Sequence, residues 1–93
     1  YQPRSFYCML QVIAFFQDGC MACQEQGPVN REVEQALGIH IEEIDPLKER
    51  AYIGKYDLRV TPTIVIIKEG KLAERFEGIV HREQLEDAIR KYL

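Results

Sequence analysis

The run Met9 to Phe16 (M-L-Q-V-I-A-F-F) constrains the fold more than any other part of the chain. It is mostly apolar, rich in β-branched and aromatic side chains, and shows little polar alternation. A strand with one solvated face alternates, so this pattern predicts a strand covered on both faces, inside a sheet that carries a layer on each side. Gln17, Asp18 and Gly19 break the run. Val29, Val33, Ala36 and Leu37 then recur at helical spacing until Gly38, which predicts a helix with Cys20 at its N-terminus. Gly27-Pro28 falls within it, and the missing amide hydrogen and ring clash predict a kink there.

Ile39, Ile41 and Ile44 read as a second strand, and Asp45-Pro46 as an N-cap followed by proline at the first helical position, predicting a helix from there to about Tyr56. After a loop over Asp57 to Thr61, Thr63 to Lys68 is a third strand, Glu69-Gly70 a tight turn, and Lys71 to Phe76 an antiparallel fourth. Beyond Gly78, Leu85, Ala88, Ile89 and Tyr92 form an apolar stripe, with Arg82, Glu86, Asp87 and Arg90 elsewhere on the cylinder. The order β-α-β-α-β-β-α predicts an α/β fold: a right-handed crossover, a hairpin, and a mixed four-stranded sheet with helices on both faces. With 93 residues, 46% of them apolar, residues 1–93 are expected to form one domain around one core.

Charge and hydropathy narrow the partners. Twelve basic residues against 15 acidic ones give a net charge of -3, and no basic run could neutralise successive phosphates, so nucleic acid is not an expected partner. Val12 to Phe16 and Ile64 to Ile67 are the longest unbroken apolar stretches, too short to cross a bilayer, and neither has the form of a secretory signal. A soluble cytoplasmic monomer is expected, although a chain that opens on Tyr1 leaves its native start open.

Three cysteines are too few for a disulfide framework, and their spacing is that of a close pair plus a distant single. In Cys20-Met21-Ala22-Cys23 the two sulfurs lie three residues apart, which on a first helical turn puts both side chains on one face within reach of a disulfide. Cys20 would face unsatisfied backbone amides and the positive end of the helix dipole, conditions that favour a thiolate. Cys23, one turn inside, is expected to be the more sheltered. That asymmetry suits thiol-disulfide exchange, with Cys20 attacking and Cys23 resolving. The spacing alone leaves open two cysteines filling core space, or half of a zinc site. Its place after a buried strand and at a helix start favours redox chemistry.

Several segments together resemble the thioredoxin family: F-F-Q-D-G-C-M-A-C, Pro28 following the second cysteine, Ile44-Asp45 at a strand end, K-Y-D-L-R-V-T-P-T, K-E-G-K, and Gly78 before the last helix. The resemblance runs from about Val12 to Leu93. It implies a thioredoxin-like fold in which Pro62 is cis and packs beside the dithiol, while Thr61 offers backbone groups to an extended substrate. Gly19, Met21, Ala22, Thr61, Pro62 and Gly78 would line the docking surface around Cys20. It further implies protein disulfides as substrates, a thioredoxin-reductase-like flavoprotein as recycling partner, and no bound cofactor or metal.

The chain also departs from that family. Gly19 stands where a tryptophan precedes the first cysteine, and Met21-Ala22 replaces Gly-Pro, changes that alter thiol acidity and redox poise. The family's buried aspartate corresponds to Ala14 and its neighbouring lysine to Ile41, leaving Asp18, Glu25 or water to accept the proton of the inner thiol. Asp18 also places a negative charge near Cys20, opposing the helix dipole. Tyr1 to Cys8 leave little room for an N-terminal strand and helix, so the second strand is expected at a sheet edge, protected by His40, Glu42 and Glu43. Phe76 to Val80 lack the glycine-pair and acidic signature with which glutaredoxins hold glutathione. Ala14 and Ile41 keep an alternative in view, a redox-idle binding or adaptor module using the same groove. Among the remaining residues, Cys8 is expected to be a partly buried apolar side chain, His40 and His81 surface residues, and Tyr52 and Tyr56 core aromatics.

Overall fold

The computed structural model describes residues 10–93. Their elements are β1 (Leu10–Phe15), α1 (Met21–Leu37), β2 (Ile41–Ile44), α2 (Ala51–Tyr56), β3 (Thr63–Lys68), β4 (Lys71–Glu77) and α3 (Arg82–Arg90). The expectations for Cys8, and for a first strand beginning at Met9, fall outside the described residues. The sheet order is β2-β1-β3-β4. β1 pairs parallel with β2, Val12 opposite Ile41 and Phe15 opposite Ile44, and antiparallel with β3, Val12 opposite Ile66. β3 and β4 close the hairpin, with a register shift at Ile66/Ile67. At the turn, Glu69 (φ 53) and Gly70 (φ 80) are both left-handed, the pattern that matches the twist of two antiparallel strands.

β1 and β3 occupy the middle of the sheet, which is why their sequences barely alternate: successive side chains enter two different cores. Val12, Ala14, Ile64 and Ile66 pack with Val33 of α1 and with Leu85, Ala88 and Ile89 of α3. Ile13, Phe15, Val65 and Ile67 pack on the opposite face with Tyr56, against which Tyr52 and Leu58 also lean. Helices therefore cover both faces, α1 and α3 on one and α2 on the other. The Phe15 ring lies 5.5 Å from that of Tyr52 and 6.0 Å from that of Tyr56, so both tyrosines are core aromatics. β2 is an edge among the described residues, and its Glu42 accepts a hydrogen bond from Gln11 at 2.8 Å.

Helix α1 ends where Gly38 turns left-handed and returns its N–H to the Glu34 carbonyl at 2.8 Å. It continues as one helix through Pro28. The Asp45-Pro46 signal does not open a continuous helix. The Asp45 carboxylate accepts from the Leu47 amide at 2.9 Å, and its carbonyl takes the amides of both Lys48 (3.0 Å) and Glu49 (3.1 Å). One carbonyl shared by two amides makes a single tight turn, and regular α-helix begins only at Ala51. At the other end of α2 the guanidinium of Arg75 donates to the carbonyls of Tyr56 and Asp57, satisfying acceptors that no later helical amide can reach.

Glu86, which lies off the apolar stripe of α3, is nevertheless only 9% exposed in its side chain, held by Arg82 at 2.6 Å and Arg90 at 3.3 Å, one helical turn away on either side. The Arg82 hydrogen bond holds its carboxyl below the usual carboxylate range. A depressed native pKa contributes stability that is present above the unfolded carboxylate pKa and is lost as pH falls through the native value. Glu86→Gln should therefore lower the urea midpoint at pH 7, and the gap from wild type should close on acidification. A gap independent of pH would contradict this.

Candidate active site

β1 delivers the chain to one end of the sheet, where the Phe16 amide still bonds the Ile44 carbonyl at 3.1 Å. Gln17 to Gly19 turn back, with the Cys20 amide on the Gln17 carbonyl at 3.4 Å, and α1 starts. Cys20 is its N-cap: the backbone is extended (φ -90, ψ 110), and Sγ accepts the Cys23 amide at 3.1 Å. A sulfur here fills the place an N-cap oxygen usually takes, and the amides and dipole of the helix start favour the sulfur as an anion. Cys20 and Cys23 are joined as a disulfide with Cα atoms 5.2 Å apart. Both are half-buried. What separates them is their surroundings.

Thr61 and Pro62 meet Cys20 from the start of β3. The Thr61-Pro62 peptide is cis, as the resemblance implied. The Thr61 carbonyl oxygen lies 3.6 Å from Cys20 Sγ, and the Thr61 hydroxyl donates to the same sulfur at 3.7 Å. Pro62 is buried, and its carbonyl takes the Gly78 amide at 2.8 Å, bringing the segment after β4 to the same end. Cys20, Thr61, Pro62 and Gly78 are thus linked in series, while Gly19 and Met21 stand exposed at the rim and Ala22 is half-buried.

A hydrogen bond to a thiolate, even a long one, is worth about 1 kcal/mol, or roughly fivefold in reactive thiolate. Thr61→Val should slow alkylation of reduced Cys20 by iodoacetamide at neutral pH by about that factor. An unchanged rate would remove the hydroxyl from any part in activating the sulfur.

Cys23 opens instead onto a cavity of about 390 Å³ that Pro62, Ala14 and Gln26 also line. Of the carboxylates considered from sequence as proton acceptors, Asp18 lines this cavity and Glu25 does not. Glu43, read from sequence as an edge-protecting residue, does line it, as does Arg31. The signal for Glu43 lies in the strand register, since Glu43 pairs with Ala14. Ile41 is buried in the core beside Val12. The histidines stand elsewhere: His40 beside Glu34 at 3.3 Å, and His81 at the start of α3. Among the described residues no three His, Cys, Asp or Glu side chains gather as a metal site.

Gln26 and Asn30 escaped the sequence reading altogether. Both are buried on α1. Their one trace in the sequence is a pair of amides spaced four residues apart in the helical pattern that also buries Val33.

The chain is similar to known proteins along most of its length. The Thioredoxin family model matches residues 8–91. Thioredoxin Y2, chloroplastic, of Arabidopsis thaliana is 33% identical over 84 residues, covering 88% of this chain and 50% of that protein. The thioredoxin of Bacillus subtilis is 30% identical over 81 residues, covering 85% of this chain and 78% of that protein. The chain thus spans about half the length of the chloroplastic relative. Among solved structures, thioredoxin-2 of a malaria parasite superposes with a TM-score of 0.83 at 25% identity, covering 89% of this chain and 82% of that one. The family model matches nearly the whole chain, and a relative of 30% identity and a solved structure of the same fold agree with it, so the chain belongs to the thioredoxin family.

Proposed function

We propose that this domain is a protein-disulfide oxidoreductase that works through Cys20 and Cys23. The observation that carries the reading is the placement of Cys20 Sγ, capping α1, bonded by the Cys23 amide and facing Thr61. In the reducing direction the Cys20 thiolate attacks one sulfur of a substrate disulfide. That S–S bond breaks, the departing sulfur takes up a proton, and Cys20 stays joined to the other sulfur. Cys23, deprotonated, then attacks Cys20 and expels the second substrate thiol. Two electrons pass to the substrate, and the domain ends as the Cys20–Cys23 disulfide. A flavoprotein of the thioredoxin-reductase class would return the pair to the dithiol. One chain carries both sulfurs, so the cycle is assigned to a monomer. In the oxidising direction the same steps run in reverse.

The test is the reduction of insulin by dithiothreitol, followed as turbidity from the released chains. The protein should accelerate it catalytically, and alkylating the reduced protein beforehand should abolish the acceleration. Turbidity at the protein-free rate would contradict the reading and favour a redox-idle binding module.

A further inference from the structure

A carboxamide in the middle of an apolar helix face costs free energy unless every donor and acceptor finds a partner. Gln26 is 1% exposed, and all its groups are used. Its Oε1 accepts the Val80 amide at 2.9 Å, and its Nε2 donates to the Val80 carbonyl at 3.2 Å and to Asn30 Oδ1 at 3.0 Å. The orientation is unambiguous, because an amide N–H can only donate and so must meet the carboxamide oxygen. Gln26 thus holds the Val80 backbone at both its polar groups, as a neighbouring strand would, across 54 residues of sequence.

The clamp sits at a telling place. Gly78 is fixed to the Pro62 carbonyl at 2.8 Å, and Val80 is fixed to Gln26, so Ile79 is the free middle of a three-residue span tied down at both ends. Ile79 is 50% exposed, whereas Val80 is buried. Gly78 at φ +86 makes the bend that allows this, in a backbone region where other residues are strained. Gln26 itself lines the cavity shared by Cys23 and Pro62. One side chain, three residues inside the helix from Cys23, therefore sets where the wall beside Pro62 stands relative to the dithiol.

We propose that Gln26 is a positioning residue for polypeptide substrates: by clamping Val80 it fixes Gly78–Val80 as a rigid wall, presenting Ile79 to the extended chain that flanks a substrate disulfide. The proposal rests on the oxidoreductase reading above. A wall fixed in advance spares the ordering cost that a mobile one would impose on docking, and this benefit reaches only substrates long enough to touch it. A small disulfide needs the sulfurs alone.

The experiment compares insulin with 5,5′-dithiobis(2-nitrobenzoate) as substrates of wild type and Gln26→Leu, with the midpoint potential of the dithiol measured for each. The proposal expects KM for insulin to rise on the order of fivefold, with kcat, the small-disulfide rate and the midpoint potential unchanged. The double variant Gln26→Leu/Asn30→Leu, which leaves no amide stranded in the helix face, should show the same rise. An unchanged KM for insulin, or an equal slowing on both substrates, would overturn the proposal while leaving the oxidoreductase reading intact. Absence of turnover in wild type would instead overturn that reading. Hydrogen exchange on the unaltered protein gives a check independent of variant folding: the Val80 amide should exchange as slowly as those of Val33 and Ile64, and rapid exchange would overturn the clamp.

Discussion

Replacing Cys20 by serine is expected to abolish disulfide exchange, returning insulin reduction to the rate without protein. A hydroxyl at neutral pH supplies almost no anion and forms no mixed disulfide. Cys23→Ser should behave differently. Cys20 keeps its place at the helix start and still attacks, but nothing resolves the product, so the variant should accumulate mixed disulfides that run as covalent adducts on non-reducing gels. The contrast follows from position: Cys20 lies under the Thr61 hydroxyl, while Cys23 opens onto the cavity behind it. Equal trapping by the two variants would overturn the assignment of attacking and resolving roles.

Phe15→Ala is expected to destabilise the fold by about 3–5 kcal/mol, the usual cost of emptying a large buried aromatic site. Phe15 is 0% exposed and ends β1, filling the core beneath α2 between Tyr52 and Tyr56. Domains of this size are stable by only about 5–15 kcal/mol, so the variant should lose a large share of its stability and more than about 12 °C in Tm. Leu72 on β4, 46% exposed, is the comparison: Leu72→Ala should cost no more than about 1 kcal/mol. Urea unfolding of both variants, with the disulfide kept intact, measures the difference. Similar losses at the two positions would mean that the core has been misplaced.

The features that read correctly from sequence are those in which one residue type has one physical meaning. The absence of alternation in β1 and β3, in short β-branched runs, is the pattern of strands buried on both sides, and the side chains of both strands enter two cores. Gly38 and Glu69-Gly70 marked left-handed backbone, and the chain turns at both. The cis geometry at Pro62 came from resemblance, since a lone Thr-Pro reads only as a turn.

What was not legible depends on which partner each polar group meets once the chain has folded, whether one turn away or far along the sequence. Asp45-Pro46 carries the signal of a helix start, yet the Asp45 carbonyl gathers two amides into a lone turn. Glu86 reads as a surface acid until Arg82 and Arg90 are seen to close over it. Gln26 reads as an unremarkable polar residue until Val80 arrives to meet it. Glu43 faces the cavity only because β2 pairs with β1 in the register that sets it opposite Ala14.

The central claim, that Cys20 and Cys23 form a working redox couple, is tested most directly by equilibrating the protein in dithiothreitol buffers of graded potential, quenching with acid and counting alkylatable thiols by mass spectrometry. The account predicts a single two-electron step in which two thiols disappear together, both mapping to Cys20 and Cys23. All three thiols remaining alkylatable at every potential would contradict it.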